Sequence, residues 1–215
     1  FPRLLEEESG FLDLDKFGSD VWYPPGHGDL YSCLAGQGYL ERLLADGREI
    51  LFVSNVDNLG AVLDLRILHY MLNEDIPFLM EVTPKTAADI KGGILYQEKG
   101  RIKLLEVANV PPEHIAEFCG QQKFKVFNTN NIWINLARLK ELLKEEGPLD
   151  LDVIANRKIV KGQPVLQLET AIGTAFNCFP EAVGLTVPRD RFLPVKRTSD
   201  LLYLWSDLFH LEQGR

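Results

Sequence analysis

Glu49-Ile-Leu-Phe-Val-Ser54 is a continuous apolar run closed at both ends by polar side chains. An unbroken run, where a half-exposed strand would alternate, is what a strand covered on both faces of a parallel sheet requires. Helical spacing follows over residues 62–72, and a second buried strand reads at 77–82, so the stretch predicts a β-α-β unit. Around it the pattern keeps alternating. Residues 29–44 predict two short helices interrupted by Gly36 and Gly38. Residues 94–97 and 101–107 flank Glu98-Lys99-Gly100 as a hairpin. Pro111-Pro112 opens a short helix to Cys119, a strand follows at 124–128, and a Leu-rich helix at 136–143 ends at Gly147. A short strand at 151–154, a hairpin of 158–160 with 165–168, and a helix from Thr198 or Ser199 to Phe209 complete the reading. Strands and helices in alternation, with inserted hairpins, predict a three-layer α/β domain with a mostly parallel central sheet.

Composition narrows the function classes. The 215 residues, 46% of them hydrophobic, suffice for one large domain with its own core. The net charge of −8 and the absence of any long Lys/Arg run argue against a nucleic-acid partner. The longest apolar runs fall far short of the roughly 20 residues that span a bilayer, which predicts a soluble, cytoplasmic protein with no membrane partner. Cys33, Cys119 and Cys178 lack CxxC spacing, and His27, His69, His114 and His210 share no metal spacing. Ala35-Gly36-Gln37-Gly38 lacks the preceding strand of a phosphate-binding fingerprint.

Chemistry concentrates in a few segments. Trp22-Tyr-Pro-Pro-Gly-His-Gly-Asp29 couples two prolines to two glycines around a lone histidine, either a rigid loop wrapped on a ligand or a surface turn capped by Asp29. Asn55-Val-Asp57-Asn58 follows the first buried strand, where open α/β sheets bind ligands. Its lone carboxylate, Asp57, suits Mg²⁺ completed by phosphates and water, and the same tetrapeptide also reads as an Asx turn. Phe127-Asn-Thr-Asn-Asn131 repeats the pattern with amides, which donate and accept as sugar hydroxyls require; Asn-rich turns are the plain alternative. Lys91-Gly92-Gly93 offers backbone N–H groups to a hydroxyl or phosphate, or is a flexible turn. Pro188-Arg-Asp-Arg-Phe-Leu-Pro-Val-Lys196 is a cation-bearing loop. Its Lys196 stands just before a helix N-terminus, an arrangement suited to phosphate or simply a solvated basic turn.

Taken in order with Gln167-Leu-Glu-Thr-Ala171, these motifs closely resemble the eukaryotic-type UDP-glucose pyrophosphorylases (UTP:glucose-1-phosphate uridylyltransferases) over essentially all 215 residues. The resemblance implies a Rossmann-like nucleotidyltransferase fold related to GT-A glycosyltransferases. It implies UTP, glucose 1-phosphate and UDP-glucose as partners, and Mg²⁺ as cofactor. By the same resemblance Pro25 and Gly26 lie near the uracil, and His27 near the sugar phosphate. Asn55 is then a ribose- or sugar-side amide, Asp57 the metal carboxylate, Gly93, Glu106, Asn128 and Asn130 glucose contacts, and Lys196 the clamp on the phosphates. Lys196 and His27 are the expected catalytic pair.

The family's glycine-rich triphosphate loop and its β-helical domain have no counterpart within residues 1–215. These residues are therefore expected to be one partial catalytic domain, weak or inactive in turnover when alone. A non-catalytic nucleotide-sugar-binding module, a pyrophosphorylase for another UDP-sugar, and a GT-A glycosyltransferase are the rival readings. Oligomeric state is not legible.

Overall fold

A computed structural model describes residues 1–7, 10–86, 89, 92–120 and 122–208. The elements run β1 (Leu4–Leu5), α1 (Leu14–Phe17), α2 (Leu30–Gly36), α3 (Tyr39–Ala45), β2 (Ile50–Val53), α4 (Leu65–Asn73), β3 (Phe78–Pro84), β4 (Ile94–Glu98) and β5 (Arg101–Leu105). They continue with α5 (Ile115–Cys119), β6 (Val126–Asn135), α6 (Leu136–Glu146), β7 (Val153–Val160), β8 (Gln163–Thr170), β9 (Val183–Thr186) and α7 (Thr198–Leu204).

The β-α-β unit is present as β2-α4-β3, but its strands are not neighbours. The central sheet has the order β2-β6-β3-β9; β6 lies antiparallel between β2 and β3, and only β3 and β9 pair in parallel. The expectation of a mostly parallel sheet is thus corrected to a mixed one. The physical reason is the residues beyond the Asn cluster. Ile132-Trp133-Ile134 is a continuous apolar run that extends the short strand expected at 124–128 to Asn135 and fills the gap between β2 and β3.

Both faces of this sheet are covered. Phe78, Met80, Ile132 and Ile134 pack with Tyr31 and Leu34 of α2, Leu40 of α3, and Leu136 and Leu139 of α6. The alternate side chains Leu79 and Trp133 pack with Ile67 and Met71 of α4. Period-two alternation along β3 and β6 therefore supplies two cores, and the domain has the three layers expected. Helix α4 starts at Leu65, later than the apolar spacing suggests, because the Asp64 side chain accepts the Arg66 N–H and fixes the N-cap there.

Outside the sheet, β4 and β5 form the expected hairpin. The strand at 151–154 and the hairpin after it prove to be one longer hairpin, β7 with β8, turning at Lys161-Gly162, both at positive φ as a type I′ turn requires. Strand β1 adds to its other edge. Helix α7 spans Thr198–Leu204, and Phe209 and His210 lie outside the described residues. No helix of the described residues is long and apolar enough to cross a membrane.

Candidate active site

The carboxyl ends of β2 and β3 point the same way, and the amino half of β6 lies beside them. At this end β6 is irregular: Met80 faces Ile132 and Val82 faces Asn128, so Thr129, Asn130 and Asn131 together oppose Glu81. Asn130 adopts φ +61°, a left-handed conformation that asparagine tolerates better than most residues. The bulge is held by side chains. The Asn130 N–H donates to Asn128 Oδ1 at 2.7 Å, the Thr129 hydroxyl to the Glu81 carbonyl at 2.7 Å, and the Asn131 N–H to Thr129 Oγ1 at 3.2 Å. A bulge beside a functional cleft re-aims side chains, and here it brings Asn130 Nδ2 to Asn55 Oδ1 at 2.9 Å.

Asn55 and Asp57 stand on the segment after β2, which pairs with the loop carrying Lys196. The Leu59 N–H donates to the Leu193 carbonyl at 3.1 Å and the Val195 N–H to the Asp57 carbonyl at 2.8 Å, flanking a bridge of Asn58 with Pro194. This short ladder places the Lys196 ammonium on Asp57 Oδ2. The other carboxylate oxygen, Asp57 Oδ1, is buried without a hydrogen-bond partner. An anionic oxygen out of water and unpaired is a costly arrangement that a cation or a ligand donor relieves.

His27 comes from another segment, ahead of α2. Its loop lies along the end of β8, where the Thr170 N–H donates to the Pro25 carbonyl at 2.9 Å. A Cβ at Gly26 would stand 2.4 Å from the Thr170 carbonyl oxygen, and one at Gly28 would stand 2.5 Å from Thr170 Oγ1. The two glycines thus let the loop pack directly against Thr170. Pro25 and Gly26 lie outside the cleft lining. His27 itself lines the cleft, and its Nδ1 accepts the Ile172 N–H at 2.8 Å. With Nδ1 an acceptor, the neutral ring carries its proton on Nε2. Burial pushes the His27 pKa below the usual histidine value of 6.5, opposed by the charge of Glu169. His27 is therefore a neutral donor.

Gly93, Glu106 and Asn128 also line the cleft. A Cβ at Gly93 would lie 2.7 Å from Glu106 Oε1, and one at Gly92, whose φ is +141°, would lie 2.6 Å from the Phe127 ring. These glycines let the chain pack under the carboxylate and the ring; Lys91 lies outside the described residues. Burial raises the Glu106 pKa, while a hydrogen bond from Asn128 and the charge of Asp152 act in opposite directions on it. The result is a half-desolvated acceptor.

Together His27, Asn55, Asp57, Gly93, Glu106, Asn128, Asn130 and Lys196 line one cleft of about 270 Å³, closed by Phe127, Ile154, Ala171, Phe192 and Pro194. One expected feature is absent. The N–H groups of Lys196 and Arg197, ahead of α7, are taken by Asp200 Oδ2 at 2.7 and 2.8 Å, so an anion there would meet the Lys196 side chain and not these amides. His69 bonds Asn73, and His114 lies by Glu117, both at exposed positions on helices or turns outside the cleft. Among the described residues no cluster of three or more His, Cys, Asp or Glu could hold a metal by itself.

Beneath the cleft lies a buried polar network that motif reading does not find. Glu81 is 0% exposed, and its carboxylate takes a bidentate fork from Arg191 at 2.6 and 2.7 Å, with Trp133 Nε1 at 2.8 Å and Asn131 Nδ2 at 3.1 Å. The available signal was a lone charge in the middle of Phe78-Leu-Met-Glu-Val82, a strand expected to be buried on both faces. Such a charge needs a cationic partner.

The family model described as UTP–glucose-1-phosphate uridylyltransferase matches residues 1–215. A protein of that name from Pyrus pyrifolia is 51% identical over 215 residues, covering 100% of this chain and 45% of the relative. One from Saccharomyces cerevisiae is 54% identical over 199 residues, covering 91% of this chain and 40% of the relative. A crystal structure of UDP-glucose phosphorylase from Trypanosoma brucei superposes with TM-score 0.90 at 41% identity, covering 99% of this chain and 49% of that one. A UDP-glucose pyrophosphorylase mutant from Leishmania major, in complex with UDP-glucose, gives TM-score 0.90 at 40% identity, covering 99% and 48%. The chain thus spans about half the length of the relatives it matches.

Proposed function

The chain belongs to the UTP–glucose-1-phosphate uridylyltransferase family, and from that premise we propose that the whole protein carrying it makes UDP-glucose and pyrophosphate from UTP and glucose 1-phosphate. The cleft would hold the nucleotide sugar within a Rossmann-like layer architecture of the GT-A kind, of which residues 1–215 form one partial catalytic domain. The observation that carries the reading is the convergence of His27, Asp57, Asn130 and Lys196, from four distant segments, on one cleft.

The residues suit an attack that needs alignment and charge more than a proton acceptor. A phosphate oxygen of glucose 1-phosphate is already anionic at neutral pH, so it can displace pyrophosphate from the α-phosphorus of UTP without a general base. Lys196 supplies a cation over the phosphates, and Nε2 of His27 supplies a neutral hydrogen bond to the sugar phosphate. Glu106, Asn128, Asn130 and the backbone at Gly93 would receive the glucose hydroxyls, Asn55 would support Asn130 from the ribose side, and Pro25 and Gly26 would border the uracil.

Asp57 fits a Mg²⁺ site: its buried, unpartnered Oδ1 is a hard oxygen ligand, and a lone carboxylate is the usual protein share of such a site. When bound, Mg²⁺ would neutralise phosphate charge and orient the α-phosphate. The direct test is turnover by the whole protein with UTP, Mg²⁺ and glucose 1-phosphate. UDP-glucose formation that stops on chelation is expected; no UDP-glucose from any hexose 1-phosphate would overturn the reading.

A further inference from the structure

We propose that Glu81 and Arg191 are positioning residues, a buried ion pair that sets where the loop bearing Lys196 meets the segment bearing Asp57. The inference rests on the function proposed above for its catalytic readout, though not for its structural one.

The pair joins the elements that shape the cleft. Glu81 belongs to β3, and through Asn131 and Trp133 its carboxylate is bonded to β6 on and beyond the bulge that presents Asn130. Arg191 belongs to the loop that ends in Lys196. Besides its fork to Glu81, its Nη2 donates to the Val62 carbonyl at 2.9 Å, on the segment between β2 and α4. The Arg191 carbonyl accepts Asn58 Nδ2 at 3.1 Å and Asn131 Nδ2 at 3.3 Å. Asn58 Oδ1 then accepts the Leu193 N–H at 2.8 Å. From Leu193 the backbone ladder with Leu59 and Asp57 leads directly to Lys196. Arg191 is 8% exposed and does not line the cleft, so it acts on the cleft through its neighbours.

Stability alone is a poor account of this arrangement. Packed apolar side chains of similar volume commonly hold a core as well as a buried ion pair, without the cost of desolvating two charges. What a guanidinium-carboxylate fork adds is direction: two parallel hydrogen bonds fix the plane and distance of the partners, which a lysine, with its single point of charge, does not reproduce. Lys196 and Asp57 meet across this join, and displacements of about 1 Å at reacting groups can cost about a hundredfold in rate.

The test compares Arg191→Lys and Glu81→Gln with wild type in the whole protein. Expected is a kcat lower by about a hundredfold with KM for glucose 1-phosphate changed by less than about threefold. In a Lys196→Ala background Arg191→Lys should cause little further loss, because the residue it positions is gone. Amide hydrogen exchange should quicken at Leu59, Leu193 and Val195 while Ile132 and Ile134 stay protected. A kcat near wild type, a loss that is fully additive with Lys196→Ala, or exchange that quickens uniformly would each overturn the proposal. Should wild type itself fail to turn over, the proposed function falls and the exchange pattern alone decides the positioning role.

Discussion

Gly60 is where a single carbon should disturb the cleft most economically. A Cβ there would stand 2.3 Å from the Asp190 carbonyl oxygen, 2.6 Å from the Arg191 carbonyl carbon and 2.9 Å from the Phe192 nitrogen, all backbone atoms of the loop bearing Lys196. Ordinary contact begins at 3.4 Å, so Gly60→Ala requires the two segments to part by about 1 Å. No flexible side chain can absorb the movement. Overpacking of this kind costs about 1–3 kcal/mol, and it acts on the ladder in which Leu59 bonds Leu193 and Asp57 bonds Val195. For a domain of this size each kcal/mol lowers Tm by about 2–4 °C. The same shift separates Lys196 from Asp57, and a misplacement of about 1 Å predicts a rate lower by about a hundredfold. The assay pairs thermal melting with turnover in the whole protein, using Gly36→Ala as control, since a Cβ at Gly36 meets nothing within 4 Å. A Gly60→Ala protein with turnover within about twofold of wild type would refute the claim that this join sets the geometry of the cleft.

Three further outcomes follow from the same geometry. Burial lowers the His27 pKa, so the unfolded chain binds this proton more readily than the folded one. Its contribution to stability is present above pH 6.5 and is lost as pH falls below that value toward the lower folded pKa; melting between about pH 7 and pH 5 should show this slope flattened in His27→Asn. Burial raises the Glu106 pKa, so its ionised form costs stability at neutral pH; Glu106→Gln should raise Tm while weakening glucose 1-phosphate binding, which melting and calorimetry read separately. Asp57→Asn leaves Lys196 without its anion and weakens the proposed Mg²⁺ ligand, so turnover should fall at least about a hundredfold, with the Mg²⁺ concentration for half-maximal rate moving upward.

How much could be read beforehand depended on whether the signal was local. The runs at 49–54 and 77–82 declare strands by themselves, and both were found, as β2 and β3; burial on both faces holds for β3, whereas β2, at the edge of the sheet, is only half-buried. Their order in the sheet was not legible, because the insertion of β6 depends on pairing with strands about 40 to 85 residues away in sequence. Asn128 and Asn130 stood out as amides at a strand's end. That Asn130 sits at a left-handed bulge reaching Asn55 follows from cross-strand register, which leaves no local pattern. Gly26 and Gly28 were legible as places needing glycine, although their partner, Thr170, is remote in sequence. Arg191 looked like one cation in a basic loop until the fold paired it with Glu81.

The most direct measurement is a crystal structure with UDP-glucose and Mg²⁺ bound. Expected is density for the diphosphate between Lys196 and His27, with the glucose ring against Glu106, Asn128 and Asn130. Saturating ligand that leaves this cleft empty, or that settles on another face of the molecule, would contradict this placement.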